Sequence, residues 1–303
     1  MHNANDRMVA SQTNGLMSRQ KFYTTDDLVK IKEDTIMSLA EVYAIWVNKG
    51  GTFKTTFCDV VPAILQHERG FPCLVIDTDP QANLTTDNGI DNSSVATIYE
   101  VIKGTATPDD VIIKGEFFDI LPAPDKISLE EDGLFGNRPG KEYSFKELFE
   151  PLKKNYKYIF CDVGTGFGML TMNALTFADK VLFPIQPSKN SVKGMEQSME
   201  NIASIRKILN PNLQVAGVFL GKVPNRRVIG IEQQLQRAVE FAQAFGLPIY
   251  KTFVRHSFKI EETEDEETRE DINLYKAMPR EEFMNDYRDF VNEFLGGGNN
   301  GQQ

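Results

Sequence analysis

The fold is decided by a glycine-rich stretch, Val47-Asn48-Lys49-Gly50-Gly51-Thr52-Phe53-Lys54-Thr55-Thr56. It follows an apolar run, Val42 to Val47, and precedes a helix-like stretch that extends to Arg69. A glycine-rich turn between a buried strand and a helix presents consecutive backbone N–H groups and the positive helix end to phosphate oxygens. The stretch therefore predicts a phosphate-binding loop. The alternative is a tight strand–helix turn that carries only surface lysines.

Two side chains of this loop would supply its chemistry. Lys54 would reach the β- and γ-phosphates of a nucleotide, and the Thr55 hydroxyl would ligate Mg²⁺. The strict pattern G-x-x-x-x-G-K-[ST] is not met, because Asn48 and Phe53 occupy its two outer glycine positions. What remains is K-G-G-x-x-K-T-T, in which Lys49 is an additional lysine five residues before Lys54.

Apolar runs recur along the rest of the chain. Short runs of β-branched and aromatic residues without polar alternation are typical of central parallel strands. Besides Val42 to Val47, these runs are Cys73 to Ile76, Phe117 to Leu121, Tyr158 to Cys161, Val181 to Ile185, Val215 to Leu220 and Ile249 to Phe253. Amphipathic segments such as Ser144 to Lys154 and Val192 to Leu209 are long enough for crossover helices. The predicted fold is α/β, a doubly wound, mostly parallel sheet with helices on both faces.

The chain length of 303 residues suits one large domain with short additions. We expect an N-terminal extension over residues 1–40, with a helix from Thr24 or Thr25 to Met37, then a domain over 41–295 and a flexible tail over 296–303. Three cysteines without a C-x-x-C pair and three scattered histidines argue against zinc, iron–sulfur and disulfide sites. No apolar run approaches the roughly 18 residues of a membrane span, and the N-terminus lacks a signal-peptide pattern, so a cytoplasmic location is expected.

Carboxylates follow two of the predicted strands. Asp77 and Asp79 come after the second strand, and Asp162 comes after a later one. The carboxyl ends of parallel strands are where ligands bind in open α/β sheets. Asp162 fits the role of holding Mg²⁺ together with Thr55, Asp77 is a further metal candidate, and Asp77 or Asp79 could orient an attacking water. A lone Asp after a strand is more often a helix cap or turn residue.

At this point the sequence resembles the ParA/MinD family of deviant Walker A P-loop NTPases, and within it the ParA-type partition branch. The resemblance rests on the phosphate loop, on Asp162 and above all on Asp77-Thr78-Asp79-Pro80-Gln81-Ala82-Asn83. It continues through Ile120-Leu121-Pro122-Ala123 and Ala178-Asp179-Lys180-Val181-Leu182-Phe183-Pro184-Ile185-Gln186-Pro187, and spans roughly residues 41–260. Two departures stand out. Phe53 replaces a usual glycine, and Val163-Gly164-Thr165-Gly166 replaces a common Thr-Pro-Pro stretch.

The resemblance implies ATP hydrolysis with Mg²⁺ as cofactor, and Phe53 in place of the loop glycine is expected to make that hydrolysis slow. It implies that Lys49 reaches across an ATP-sandwiched homodimer to phosphates of the partner subunit, and that Lys49, Lys54 and Asp79 are the catalytic residues. Whether the homodimer depends on ATP or is constitutive stays open. The implied ATP-binding residues are Lys49, Gly50, Gly51, Thr52, Phe53, Lys54, Thr55 and Thr56, with Pro224 and Asn225 near the adenine. That last loop could equally be only a helix N-terminus.

Charge is segregated along the chain. The net charge is −10, yet residues 180–259 hold 12 Lys or Arg and only four Glu. Such a block can form a local phosphate-binding surface, or merely a solvated helical face. The resemblance implies DNA binding without sequence preference, a centromere-binding partner that stimulates hydrolysis, and a nucleoid-associated location; plasmid or chromosome stays open. The implied DNA contacts are Lys189, Lys193, Arg226, Arg227, Arg255 and Lys259, with Arg206, Lys207, Arg237 and Lys251 as further candidates.

Two other functions remain as alternatives. A MinD-like ATPase would bind a membrane through a C-terminal amphipathic helix, and this chain has Phe283, Tyr287 and Phe290 at helical spacing near its end. The polar face of that helix, however, is acidic, whereas membrane-surface helices are rich in Lys and Arg. We therefore expect it to pack on the domain or on the dimer partner, with no membrane contact. A nucleotide-gated scaffold with little turnover stays open because of Phe53.

Overall fold

The structure is a computed structural model that describes residues 39–124, 131–137, 139–224, 230–259 and 273–296. The predicted N-terminal helix and nearly all of the predicted tail lie outside these ranges. No helix among the described residues has the length and apolar character needed to cross a bilayer.

Seven parallel strands form one sheet. They are β1 (Glu41–Ile45), β2 (Cys73–Asp77), β3 (Asp119–Leu121), β4 (Tyr158–Asp162), β5 (Lys180–Ile185), β6 (Gln214–Val223) and β7 (Ile249–Arg255). Their order across the sheet is β3-β2-β4-β1-β5-β6-β7. Every apolar run predicted as a strand contains one, and the predicted doubly wound α/β fold is confirmed.

The helices are named in chain order. They are α1 (Lys54–Ala63), α2 (Asn83–Asp87), α3 (Ile98–Lys103), α4 (Pro108–Val111), α5 (Glu131–Leu134), α6 (Ser144–Phe149), α7 (Met169–Phe177), α8 (Lys189–Ile208), α9 (Ile231–Ala244), α10 (Leu274–Ala277) and α11 (Glu282–Gly296). A π-helical turn, Ile64–Glu68, extends α1. The predicted helix from Ser144 to Lys154 instead changes to a 3₁₀ helix at Glu150. Pro151 accounts for this change, because it lacks the N–H that continues an α-helix.

Helices cover both faces of the sheet because alternate strand residues point to opposite sides. On β1, Val42 and Ala44 join a core with Phe145, Met195 and Phe241 of α6, α8 and α9. Tyr43 and Ile45 join the other core, with Phe57, Leu274 and Phe290 of α1, α10 and α11. This layering leaves the carboxyl edge of the sheet for the loops that follow β1, β2, β4, β5 and β6.

The C-terminal helix α11 packs on the domain. Phe283, Tyr287 and Phe290 of its apolar face are buried. Glu293 accepts hydrogen bonds from the N–H groups of Lys251 and Thr252 on the edge strand β7, at 2.8 and 2.9 Å. Carboxylates of α11 therefore satisfy strand groups that an edge otherwise leaves unpaired.

Candidate functional site

The phosphate loop joins β1 to α1, which begins at Lys54. Two loop residues have left-handed backbones, Gly51 with φ 66° and Phe53 with φ 50°. Alternation of right- and left-handed residues turns successive N–H groups toward a common centre, where an anion binds. Two left-handed positions favour an anion-binding turn of this kind, although the second of them is not a glycine.

Lys54 is buried beneath the loop, with 6% of its surface exposed. Its Nζ atom donates to the carbonyl oxygen of Lys49 at 3.2 Å. Burial lowers the pKa of Lys54, and the carboxylates of Asp162 and Asp79 oppose that shift. The structure thus brings the predicted lysine into the electrostatic field of two of the three predicted carboxylates.

Lys49 is held by serines of the segment that follows β5. Its Nζ atom donates to Ser188 Oγ at 2.6 Å and to Ser191 Oγ at 3.4 Å. Ser191 in turn donates to the carbonyl oxygen of Gln186. Partial burial lowers the pKa of Lys49. Sequence reasoning missed these two serines, although a Ser-x-x-Ser spacing where a strand gives way to a helix is a usable signal for polar groups near a loop.

Asp77 and Asp162 are register partners at the ends of the adjacent strands β2 and β4. Asp77 is fully buried, and its oxygens accept hydrogen bonds from the Asp79 N–H and from both the N–H and the hydroxyl of Thr85. Burial raises the pKa of Asp77 to about 7. Because the carboxylate oxygens of Asp77 already accept hydrogen bonds from the protein, this geometry favours a role for Asp77 in shaping the following segment. Direct ligation of a metal by Asp77 stays a prediction.

Asp162 is different, since its carboxylate has no conventional partner. Among the residues that the structure describes, none makes a hydrogen bond of normal geometry to either of its buried oxygens. Burial raises the pKa of Asp162 well above its ordinary value, Asp77 and Asp79 add to the shift, and Lys54 and the nearby Thr55 hydroxyl oppose it. A buried carboxylate without partners is costly unless a cation or ligand completes it.

Asp162 and Thr55 fit Mg²⁺. No group of three His, Cys, Asp or Glu side chains among the described residues forms a ready metal cage. Magnesium is commonly held by one or two protein groups together with substrate phosphates and waters, so a cage is not required. The orphaned oxygens of Asp162 beside a threonine hydroxyl supply hard oxygen ligands of the correct type.

Asp79 lies at the rim of the site and is half-buried. Its N–H donates to Asp77, and its Oδ1 accepts from the N–H of Gln81 at 2.9 Å. A Cβ atom built on Gly164 would lie 3.2 Å from this Oδ1 atom and 3.0 Å from Cδ of Pro80. The segment after β4 thus approaches Asp79 closely, and a side chain at position 164 would require Asp79 or Pro80 to shift by a few tenths of an ångström.

Trp46 links the end of β1 to this same segment. The side chain is fully buried, and its Nε1 donates to the carbonyl oxygen of Gly166 at 3.2 Å. Sequence reasoning did not single out Trp46, because an apolar residue at the end of a strand predicts only core packing.

The structure describes only some of the other predicted site residues. Pro224 follows β6 directly and is partly buried. Asn225, Arg226 and Arg227 lie outside the described residues, as does the side chain of Lys189, so these predictions stay untested. Of the remaining basic candidates, those with exposed side chains include Lys193, Lys207, Arg237 and Lys251.

Arg255 and Lys259 are neutralised by acidic residues. The guanidinium of Arg255 donates to both carboxylate oxygens of Asp286, at 2.8 and 2.9 Å, and to Glu282 at 2.7 Å. Lys259 forms an ion pair with Glu281 at 2.5 Å. These pairs offset the positive charge at the end of β7. The assignment of Arg255 and Lys259 to DNA binding stays a prediction, and it has weaker physical support than the assignment of the exposed lysines.

The sheet is parallel and carries a phosphate loop after its central strand, with a buried lysine in that loop and a buried carboxylate that fits a cation. These features define a P-loop NTPase. A family model described as an AAA domain matches residues 40–215. Sporulation initiation inhibitor protein Soj of Bacillus subtilis is 31% identical over 227 residues, 74% of this chain and 87% of Soj. Chromosome partitioning protein ParA of Caulobacter vibrioides is 31% identical over 226 residues, 73% and 82% of the two chains. The chain belongs to the ParA/MinD family of P-loop ATPases.

Solved structures share the fold. Cobyrinic acid a,c-diamide synthase from Mycobacterium smegmatis, with bound ADP and magnesium, superposes with a TM-score of 0.72 at 23% identity, covering 87% of this chain and 97% of that one. The McdA–ATP complex of Cyanothece superposes with a TM-score of 0.70 at 21% identity, covering 86% of this chain and 97% of that one. The cell division ATPase MinD of Pyrococcus furiosus superposes with a TM-score of 0.65 at 22% identity, covering 85% of this chain and 99% of that one.

Proposed function

We propose that the protein is an ATP-dependent DNA partition ATPase. ATP would hold two copies together as a sandwich dimer, the dimer would bind DNA without sequence preference, and a centromere-binding partner would stimulate hydrolysis. The observation that carries the proposal is the presence of two lysines on one loop, with Lys54 buried beneath it and Lys49 held by serines outside it. Lys49 Nζ is engaged by Ser188 and Ser191 of the segment after β5, and we assign it to the nucleotide of the partner subunit. The name of the relative ParA, a chromosome partitioning protein, supports DNA partitioning as the process.

Each residue of the site has a distinct part in the proposed reaction. The loop N–H groups and Lys54 bind the β- and γ-phosphates, and Thr55 and Asp162 hold Mg²⁺. The cation would neutralise charge that develops on the phosphate oxygens. Asp79, half-buried at the rim, orients the attacking water, whereas Asp77 fixes the Asp79 backbone through the hydrogen bond at 3.0 Å. Positioning of this kind matters at the chemical step rather than for binding.

The DNA surface would come from the helices that follow β5 and β6. Lys193 and Lys207 on α8, Arg237 on α9 and Lys251 on β7 have exposed side chains. Exposed acids on α8, including Glu196 and Glu200, reduce the local charge. One subunit therefore offers a weak phosphate surface, and two subunits joined by ATP would bind DNA far more tightly.

A membrane-binding function receives less support. Asp286 and Glu293 of α11 are engaged with β7, and the apolar face of that helix is buried in the domain. A helix in this position has no apolar face to offer to lipid.

The test is a fluorescence-anisotropy titration of random duplex DNA, with and without ATP and Mg²⁺, at several salt concentrations. Dimer size is measured in parallel. We expect ATP-dependent binding that weakens steeply with salt, because neutralised phosphates release counterions. Charge removal at Lys193, Lys207 and Arg237 should reduce the affinity and the salt slope without affecting dimerisation. Absence of DNA binding under all conditions, with ATP-dependent binding to anionic vesicles, would favour the MinD-like alternative.

A further inference from the structure

Phe53 has a backbone conformation that bulky residues rarely adopt. Its φ and ψ angles are 50° and 30°, in the left-handed region that glycine occupies without cost. Three described residues other than glycine have positive φ, namely Phe53, Ala82 and Lys222. Phe53 lies in the phosphate loop, Ala82 follows the Asp79 segment, and Lys222 lies near the end of β6. Strain of this kind persists only where surrounding contacts impose it, and it concentrates at functional sites.

The contacts that impose it come from β6. The ring of Phe53 is buried, with 6% of the residue exposed, and lies edge-on to Phe219 at a centroid distance of 5.8 Å. A Cβ atom built on Gly221 would lie 2.2 Å from Cζ of Phe53 and 2.5 Å from Cε1 and Cε2. The tip of the ring therefore occupies the space where any other residue at position 221 would place its side chain.

This contact crosses the sheet. The phosphate loop follows β1, and β5 lies between β1 and β6 in the sheet. The ring thus joins the phosphate loop to a strand two positions away, at the carboxyl edge where ligands bind. Immediately beyond Gly221, Lys222 turns into the left-handed region and Val223 and Pro224 complete the edge. A nucleotide held by its phosphates in the loop has this edge available for its nucleoside.

We propose that Phe53 is a positioning residue that holds the phosphate loop and the end of β6 in register, so that the nucleoside and the phosphates of ATP are bound together. The proposal rests on the proposed binding of ATP at this loop. Gly221 is its required complement, since the ring and a side chain at 221 exclude each other. The replacement of a loop glycine by Phe53 is then a specific link between two parts of one site.

The first test compares two ligands, ATP and inorganic tripolyphosphate, by calorimetric titration. Phe53→Gly relieves the backbone strain and removes the link. We expect this variant to lose about tenfold in ATP affinity and to keep tripolyphosphate affinity within about threefold, because only ATP uses both parts of the site. Equal losses for both ligands would mean that Phe53 merely shapes the loop, and would overturn the proposal.

The second test uses compensation. Gly221→Ala places a methyl group within the ring of Phe53 and is expected to lower both the melting temperature and the ATP affinity. The double variant F53G/G221A removes the clash and should recover the melting temperature, while its ratio of ATP to tripolyphosphate affinity stays at the F53G level. A double variant no more stable than G221A would show that the ring contact is not the cause.

Phe57→Leu is the matched control. Phe57 also lies edge-on to Phe219, at 5.6 Å, but belongs to α1 rather than to the loop. This variant should lower the melting temperature without changing the ratio of the two affinities. If the wild-type protein binds neither ligand, ATP binding itself fails; if it binds both and F53G leaves the ratio unchanged, only the coupling is wrong.

Discussion

Asp79 Oδ1 lies 3.2 Å from the position that a Cβ atom would occupy on Gly164. Gly164 follows β4 and is buried, and its φ is not among the positive values. An alanine there is therefore sterically constrained by Asp79 and Pro80 rather than by its own backbone.

Gly164→Ala should displace the Asp79 carboxylate by a few tenths of an ångström or more. We expect hydrolysis to fall about 10- to 100-fold with ATP affinity nearly unchanged, because small misplacements are costly at the chemical step. Gly296→Ala is the matched control, since nothing lies within 4 Å of the methyl group it adds. Normal turnover in Gly164→Ala, measured as phosphate release, would contradict the assignment.

Lys54→Ala should abolish ATP binding and turnover, because it removes the buried charge that faces the β- and γ-phosphates. Equilibrium titration with ATP and a phosphate-release assay measure the two effects. Unchanged affinity and hydrolysis would rule out the phosphate-loop assignment.

Asp79→Ala should retain ATP binding, unlike Lys54→Ala. The variant is expected to bind ATP and DNA normally and to hydrolyse ATP slowly, because orienting water contributes only at the chemical step. Retention of a long-lived ATP dimer by size-exclusion chromatography would support this result. Wild-type turnover would assign the role to Asp77 or to another residue.

Asp162→Asn should separate stability from function. It replaces a buried carboxylate that has no hydrogen bond of normal geometry from the described residues, so the nucleotide-free protein should become more stable by roughly 1–2 kcal/mol. The same change removes a ligand for Mg²⁺, so the additional stabilisation by ATP with Mg²⁺ should disappear. Melting temperatures with and without the nucleotide give both quantities, and loss of stability in both conditions would be contrary to expectation.

Asp59 should make folding stability depend on pH. It lies buried in α1 and accepts hydrogen bonds from Asn88, Asn273 and the N–H of Leu274, yet burial raises its pKa from the ordinary 3.8 to about 7. The folded protein therefore holds this proton more tightly than the unfolded chain does. Its contribution is fully present below about pH 4 and is lost as the pH rises through about 7.

Denaturant titrations between pH 5 and 8 measure this loss, at the scale of a few kcal/mol. In Asp59→Asn the free energy of unfolding should decline less steeply with pH, whatever the substitution does to its absolute value. Asp91→Asn serves as a control, because hydrogen bonds from Ser93 lower the pKa of this exposed carboxyl, so it stays ionised between pH 5 and 8 and should leave the slope unchanged. An unchanged slope in Asp59→Asn would assign the pH dependence elsewhere, for example to Asp77.

The sequence by itself determined the strands, the phosphate loop and the residues at the strand ends. Those features depend on local pattern: apolar runs, a glycine-rich turn before a helix, and Asp after a strand. The predicted positions of Lys54 and Asp162 could be read in this way because the parallel order brings the strand ends together. The boundaries shifted by a few residues, as at β3, which begins at Asp119 rather than at Phe117.

Only the tertiary structure decided how these residues are partnered. Lys49 meets Ser188 across 139 positions of sequence, Arg255 meets Asp286, and the Phe53 ring covers Gly221. Asp77 and Asp162 look alike in sequence, but the oxygens of Asp77 accept hydrogen bonds from Thr85 and from the Asp79 N–H, whereas neither carboxylate oxygen of Asp162 accepts a hydrogen bond of normal geometry from the described residues. Such differences arise from the packing of distant segments, and no local pattern encodes which side chain will fill a given space.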